Sequence, residues 1–430
     1  MSASSPLVLL ERDASLPLIH AGISTRSGAD DDPPGLEGLT RIAGRLMRRT
    51  AGGKSPDEID ARVDRMGASL GLDAGHGGVA LSGVVLERSF ADFMNLLEET
   101  LTSPGLALDE LERLKRETSA ELVEILDSDQ QLAQRWFLRS VFEGHPYGRT
   151  VIGTERSLAA IGVEDVRCCL AREFRRDSLV FAFAGAVDAE RAQQAAGAIW
   201  QRLPEGGGAP PPPPEPVAAG GRRLVFVDKP ERTQTQILIG GIGSHPRDAD
   251  HFALLLANTV FGGTFTARLT QEVRAKRGWS YGAYSSLGYD RQRQAFSMWT
   301  FPKAEDAARC IALELDLLQQ WWESGITEEE FVWAQRYLVQ SQAFARDTAT
   351  KRIGLKLDEM LNDLPEGYHD EFVARVQAVS LEQANAAVRN RISLEHFVVV
   401  VLGTHSVIGA DVKKAIPNLA GERVVSFDTE

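Results

Sequence analysis

Residues that could do chemistry stand in three places. The first is Arg274 and Tyr281, seven apart in Asn258–Asp290, NTVFGGTFTARLTQEVRAKRGWSYGAYSSLGYD. One is a permanently charged guanidinium with five N–H donors, the other a phenol with one O–H. Taken locally the pair is ordinary. Arg274, Lys276 and Arg277 complement the dipole of a helix end, and a tyrosine on a strand is sheet packing. The second place is HPRDADH, where His245, Asp248, Asp250 and His251 are metal-ligand types; the simpler reading is a polar loop whose aspartate caps a helix at His251. The third is Cys168, Cys169 and Cys310. With two adjacent and none in a C-x-x-C pair, they form neither a disulfide framework nor a zinc knuckle, and read as buried apolar side chains. No G-x-S-x-G, Walker-type or G-x-G-x-x-G motif lies where its chemistry would need it.

The elements that position these residues follow from periodicity and punctuation. Around Arg274 the pattern predicts a helix ending at Gly262-Gly263 and a second from about Thr266 to Lys276, with Thr264 as its cap. A turn at Gly278 and a strand from about Trp279 follow, both glycine breaks being left-handed helix ends. Upstream, Leu7–Glu11 and Leu18–Thr25 read as a pair of strands joined by a short turn. A helix spans about Leu36–Thr50. Ser55-Pro56-Asp57-Glu58 is a capping box opening another helix to about Met66. Strands at 68–73 and 79–86 precede helices at 90–101, 109–126 and 130–142. Helix 163–174, strand 179–185 and helix 189–203 complete the first half.

Residues 206–221, GGGAPPPPPEPVAAGG, contain five consecutive prolines, which hold an extended segment that cannot pack as helix or central strand. They divide the chain into domains 1–205 and 222–430. In the second, strands 224–228 and 236–240, helix 250–261, the Arg274–Tyr281 segment and strand 295–301 are followed by helices from Glu305, from Thr327 (capping box Thr327…Glu330) and over 381–392, then strand 397–403. The two halves repeat. Leu158–Val187 lies over Val376–His405 without a gap, matching Gly185 to Gly403, and Gly52-Gly53 meets Gly262-Gly263. Gly67-Ala68-Ser69-Leu70 meets Gly278-Trp279-Ser280-Tyr281, so Val63 and Leu70 stand where the second half has Arg274 and Tyr281. Strands early and helices late in each half give an α+β class.

At 430 residues, 43% hydrophobic and 25% charged, the chain has the composition of a globular protein of two or more domains. Its 47 basic and 60 acidic residues give a net charge of −13, which argues against nucleic acid and anionic membrane as partners. No apolar run is long enough to span a bilayer, and the first residues lack a signal-peptide pattern. The expected compartment is the cytoplasm, or the periplasm for a chain whose leader was removed.

The whole plan resembles the M16 metallopeptidase family, whose members include insulin-degrading enzyme, pitrilysin and the mitochondrial processing peptidase. The stretches LVLLERDASLPLIHAGIST, GRTVIGTERSLAAIGVEDVRCCLAREFRRDSLVFAFAG and FGGTFTARLTQEVRAKRGWSYGAYSS carry the resemblance, the last most specifically. It implies two homologous M16-type domains, each a mixed, mainly antiparallel sheet flanked by helices, arranged as half of a clamshell. In active relatives the first half bears His-x-x-Glu-His, two imidazoles on one helical face with a general base between them. Here those positions fall on Arg41, Gly44 and Arg45, and Leu39–Gly53 contains no His, Glu, Asp or Cys. A guanidinium has no lone pair to give a metal, so zinc is expected in a partner and no cofactor in this chain. Glu117, Glu121 and Glu124 are candidates for the position of the relatives' third ligand. His145, in HPYG, matches a turn histidine of the family.

The resemblance assigns Arg274 and Tyr281 to a substrate-gripping pair that helps stabilise the tetrahedral intermediate. It implies a chain that is not catalytic alone, paired with a zinc-bearing His-x-x-Glu-His subunit to hydrolyse peptides that add as an extended strand to a sheet edge. The alternative is an M16-fold scaffold or peptide-binding protein without proteolysis.

Overall fold

A computed structural model describes residues 5–206, 211–218 and 220–430. The remainder of the 206–221 proline segment lies outside the described residues. The strands are β1 (Leu7–Arg12), β2 (Leu18–Thr25), β3 (Ser69–Ala74), β4 (Val79–Leu86), β5 (Leu179–Gly185), β6 (Arg222–Asp228), β7 (Gln236–Ile242), β8 (Ala283–Tyr289), β9 (Arg293–Thr300), β10 (Phe397–Gly403) and β11 (Leu419–Ser426). The first-half helices are α1 (Leu39–Arg49), α2 (Pro56–Arg65), α3 (Phe90–Thr102), α4 (Leu108–Asp127), α5 (Asp129–Val141), α6 (Glu155–Ala160), α7 (Val163–Glu173) and α8 (Ala189–Arg202). Those of the second half are α9 (His251–Phe261), α10 (Ala307–Ser324), α11 (Glu328–Ala345), α12 (Ala349–Leu361), α13 (Phe372–Ala378), α14 (Leu381–Arg391) and α15 (His405–Ala415).

Two sheets form, with orders β1-β5-β2-β4-β3 and β11-β6-β10-β7-β9-β8. The internal repeat therefore holds strand for strand, with β6-β10-β7-β9-β8 tracing the order of the first sheet and β11 added beyond β6. The first sheet has one parallel pair (β1 with β5) and the second has two (β6 with β10 and with the added β11), the other neighbours being antiparallel. The strand pair expected at the N-terminus is not a hairpin. β5 inserts between β1 and β2, because LVFAFAG is apolar at every position and buried throughout, as a central strand covered on both faces must be. The matching FVVVVLG of β10 is likewise wholly buried.

Contacts divide the chain into two compact units. Unit 1 comprises Met1–Leu122, Arg149–Pro213 and Ala343–Leu364; unit 2 comprises Val123–Gly148, Pro214–Gln342 and Pro365–Glu430. Each unit thus includes a helix from the opposite half of the sequence. In unit 2, α5 lays Leu132, Ala133, Trp136, Phe137 and Val141 on Val225, Leu238, Val398, Val400 and Leu402 of the sheet. In unit 1, α12 packs Ala349 and Ile353 against Ala182 and Ala184 of β5. The far side of the second sheet carries α10, whose Trp321 stacks on Phe261 at 4.3 Å between ring centroids. Helices α6, α12, α13 and α15 and strand β11 have no counterpart in the sequence reading.

Both capping boxes form. Ser55 Oγ accepts from Glu58 N while Glu58 accepts from Ser55 N, and Thr327 and Glu330 do the same. Asp250 does not cap α9; its carboxylate is drawn instead to Arg391 at 2.7 Å.

Candidate functional site

The Arg274–Tyr281 segment departs from its expected geometry in three respects. The helix is not an α-helix from Thr266. A π-helix occupies Thr270–Ala275, with Lys276 N donating to Gln271 O five residues back. Thr264 caps nothing; its hydroxyl donates to Thr259 O, while its own carbonyl accepts from Ala267 N and Thr270 Oγ1. The strand begins at Ala283, so Tyr281 stands just before β8 rather than on it.

The glycines have different reasons to be glycine. Gly278 has φ +65° and ends the π-helix, its N–H donating to Arg274 O. Gly262 and Gly263 are not left-handed. A Cβ at Gly262 would lie 2.5 Å from Ser285 N, because Ser285 N donates to Gly262 O across the outer edge of β8. The equivalent Gly52 and Gly53 do sit at positive φ, so the repeat conserves the residue pair without its conformation.

This arrangement presents Arg274. Its guanidinium carbon lies over the Tyr281 ring at 4.3 Å and over the Phe265 ring at 4.2 Å. The rings are 72% and 56% exposed, so neither is core packing. Arg274 Nη1 is buried without a hydrogen-bond partner, and among the described residues no carboxylate pairs with this guanidinium. The neighbouring cations differ: Lys276 and Arg277 both pair with Glu272. Thr270 Oγ1 donating to Ala283 O at 2.8 Å, and Ser280 Oγ donating to Gly282 O at 2.6 Å and accepting from Phe301 N, pin the turn between helix and strand. Sequence reasoning missed Phe265, since a single aromatic after a glycine pair carries no motif. In the other half, Val63 and Leu70 are buried at 6% and 7% exposure.

On α1 the positions of the relatives' zinc motif form an ion-pair ladder. Arg41 and Arg45 reach Glu121, Arg45 and Arg49 reach Glu117, and Arg49 also approaches Glu110. Arg49 holds both Glu117 oxygens, at 3.1 and 2.7 Å. Hydrogen bonding from Arg49 holds the Glu117 carboxyl below its usual pKa; at Glu121 burial works the other way and is outweighed by Arg41 and Arg45. Glu124 is exposed. Every basic group facing these carboxylates is a guanidinium, and a zinc ion does not fit this donor set.

HPRDADH holds no metal arrangement either. His245 Nε2 bonds Asp290 O at 2.9 Å and its Nδ1 accepts from Arg247 N at 3.0 Å, so neither nitrogen is left for an ion. His145 makes the same turn, with Nε2 on Pro214 O and Nδ1 accepting from Tyr147 N. Asp248 is taken by Arg293 and Arg391. His251 lies between Ser244 Oγ and Tyr368 Oη, and burial pushes its pKa down to about 4. Among the described residues no group of three or more His, Cys, Asp or Glu could hold a metal ion. All three cysteines are free, Cys168 exposed and the other two buried.

Residues 160–338 match a family described as the peptidase M16 inactive domain. Over that stretch the chain is similar to the M16 inactive domain. The M16 fold extends over nearly all of the chain. A peptidase M16 inactive domain from Pseudomonas fluorescens superposes with a TM-score of 0.86 at 23% identity, covering 94% of this chain and 97% of that one. A protease from Helicobacter pylori gives 0.84 at 16% identity, covering 94% and 98%. Among relatives by sequence, an uncharacterized zinc protease from Mycobacterium tuberculosis is 25% identical, covering 91% of this chain and 90% of its own. A non-peptidase homolog from Helicobacter pylori is 19% identical, covering 88% and 87%. Where the resemblance would place metal ligands, this chain has Arg41 and Arg45, which pair with Glu121. No helix among the described residues is long and apolar enough to cross a membrane.

Proposed function

We propose that the chain is the zinc-free subunit of a two-subunit M16 peptidase and lends Arg274 and Tyr281 to a zinc-bearing partner of the His-x-x-Glu-His type. The observation that carries this reading is the unpaired Arg274 guanidinium, held over two exposed rings in the half whose repeat partner has buried Val63 and Leu70 at those positions. Contact with the rings uses the face of the guanidinium, so a peptide carbonyl is met by its in-plane N–H groups other than the buried Nη1. Tyr281 Oη donates to the oxyanion developing at the scissile carbonyl. Because Gly262 already occupies the β8 edge at Ser285, strand pairing with the peptide falls to the partner, and this chain contributes side chains. The compartment in this reading is the cytoplasm.

Co-expression with a zinc-bearing M16 chain tests it. Peptidase activity emerges only in the mixture, and Tyr281→Phe lowers turnover by roughly 100- to 1,000-fold without loss of assembly. Unchanged turnover removes the catalytic role of Tyr281; no stimulated activity with any such partner leaves the peptide-binding scaffold.

A further inference from the structure

The edge of the second sheet opposite β8 is unlike its other strands. β11 is exposed at five consecutive residues, Ala420–Val424, and Val424 alone leaves 45% of its surface in water. Edge strands of this kind are templates for another chain unless charge or cover protects them. Glu422 is such a charge and is neutralised by Lys413 at 2.6 Å. Arg423 points to the opposite face of the sheet. Its guanidinium carbon lies 5.5 Å from the ring centre of the buried Trp136, whose ring also receives Arg139 at 4.8 Å. Among the described residues neither arginine has an ion pair. Burial and the Arg423 charge both push the Arg139 pKa down. One turn earlier on α5, Arg135 adds a third cation, repelled by Arg139 and opposed only in part by Glu430. Arg223 on the adjacent β6 is different, being paired with Glu143 at 2.7 Å.

In a chain of net charge −13, such a local excess of unpaired guanidinium beside an open strand edge is specific. Like charges held together on one indole repel, and a carboxylate brought between them relieves that repulsion while gaining charge-assisted hydrogen bonds. We infer that β11 is a docking edge for an extended acidic peptide segment, which adds as a further strand and places carboxylates against Arg139 and Arg423. The edge supplies main-chain hydrogen bonds, and the arginines select the sign of charge on alternate side chains. This inference is independent of the Arg274–Tyr281 reading.

The test uses the full chain and a fluorescein-labelled peptide of alternating Glu and Val, with alternating Lys and Val as control. The acidic peptide binds, its affinity falls as salt rises, and Arg139→Glu with Arg423→Glu weakens it by roughly tenfold or more. Arg423 is exposed on β11 and Arg139 is half-buried on α5, so melting of the double variant and of Arg423→Gln serves as the fold control. Hydrogen exchange with the peptide bound slows across 419–426. Equal binding of the Lys/Val peptide, unchanged binding by the double variant, or protection confined to other segments overturns the proposal. So does self-association of the chain that protects 419–426 without peptide, which assigns the edge to a second copy.

Discussion

A single side chain shows how far local rules reach. The cation cluster Arg274, Lys276 and Arg277 looks uniform in sequence, yet Glu272 neutralises two of the three and leaves Arg274. The residue that separates them is Phe265, nine positions earlier, and no periodicity predicts its ring over the guanidinium. A cation–π contact at an exposed site is worth about 0.5–1 kcal/mol, so Phe265→Leu should reduce the efficiency of an assembled peptidase by about 2- to 5-fold. Arg274→Ala should cost far more, and steady-state kinetics of the two variants checks the order. Two buried groups set opposite pH dependences. His251 has a folded pKa near 4, below its free value of 6.5, so the unfolded chain binds the extra proton and stability falls as pH drops from about 6.5 to 4. The full effect is about 3 kcal/mol. Glu314, wholly buried beside Thr300 Oγ1 and Cys310, has its pKa pushed up to about 8 by desolvation. There the folded state holds the extra proton, and stability falls as pH rises from about 4.5 to 8. Glu314→Gln should therefore raise the melting temperature at pH 8.5 relative to the parent, with the gain fading by pH 5. An equal shift at both values would show that the carboxyl is not protonated in the fold.

Among the elements, α1 was readable in what it lacks and unreadable in what replaced it. The absence of His, Glu, Asp and Cys from Leu39–Gly53 is a fact of sequence, whereas the fit of Arg41, Arg45 and Arg49 to Glu117 and Glu121 needs two helices in register. These pairs are about a quarter to a third exposed, so each is screened by solvent. Arg45 is the member that bridges both glutamates, and Arg45→Ala should destabilise the chain by about 1 kcal/mol. A smaller loss in denaturant unfolding would mean that Arg41 and Arg49 hold the carboxylates unaided. The π-helix before Gly278 was invisible for a different reason. TQEVRA has ordinary helix-forming residues, and its wider turn is set by tertiary bonds such as Thr270 Oγ1 to Ala283 O. Strands β5 and β10 were the opposite case, because unbroken apolar runs of seven residues admit a central strand and little else.

At the scale of the molecule, the gapless match of Leu158–Val187 to Val376–His405 made the duplicated sheet order legible. It did not show which helices cover which sheet. α5 belongs by sequence to the first half and by packing to unit 2; α12 belongs to the second half and packs in unit 1. Amphipathic periodicity says that a helix buries a face, but not against what. The consequence is physical. Expressed alone, residues 1–205 would keep α5 but lack the strands that bury Leu132, Trp136 and Phe137, and would lack α12 over Ala182 and Ala184. Exposing three such side chains costs about 6 kcal/mol, comparable to the whole stability of an ordinary domain. The fragments 1–205 and 222–430 should each aggregate when made separately and recover a folded, cooperatively melting complex when made together. A cut confined to the proline segment of the intact chain should leave that melting transition in place. Independent folding of the 1–205 fragment, seen as a sharp thermal transition and dispersed amide resonances, would show that the exchanged helices are dispensable.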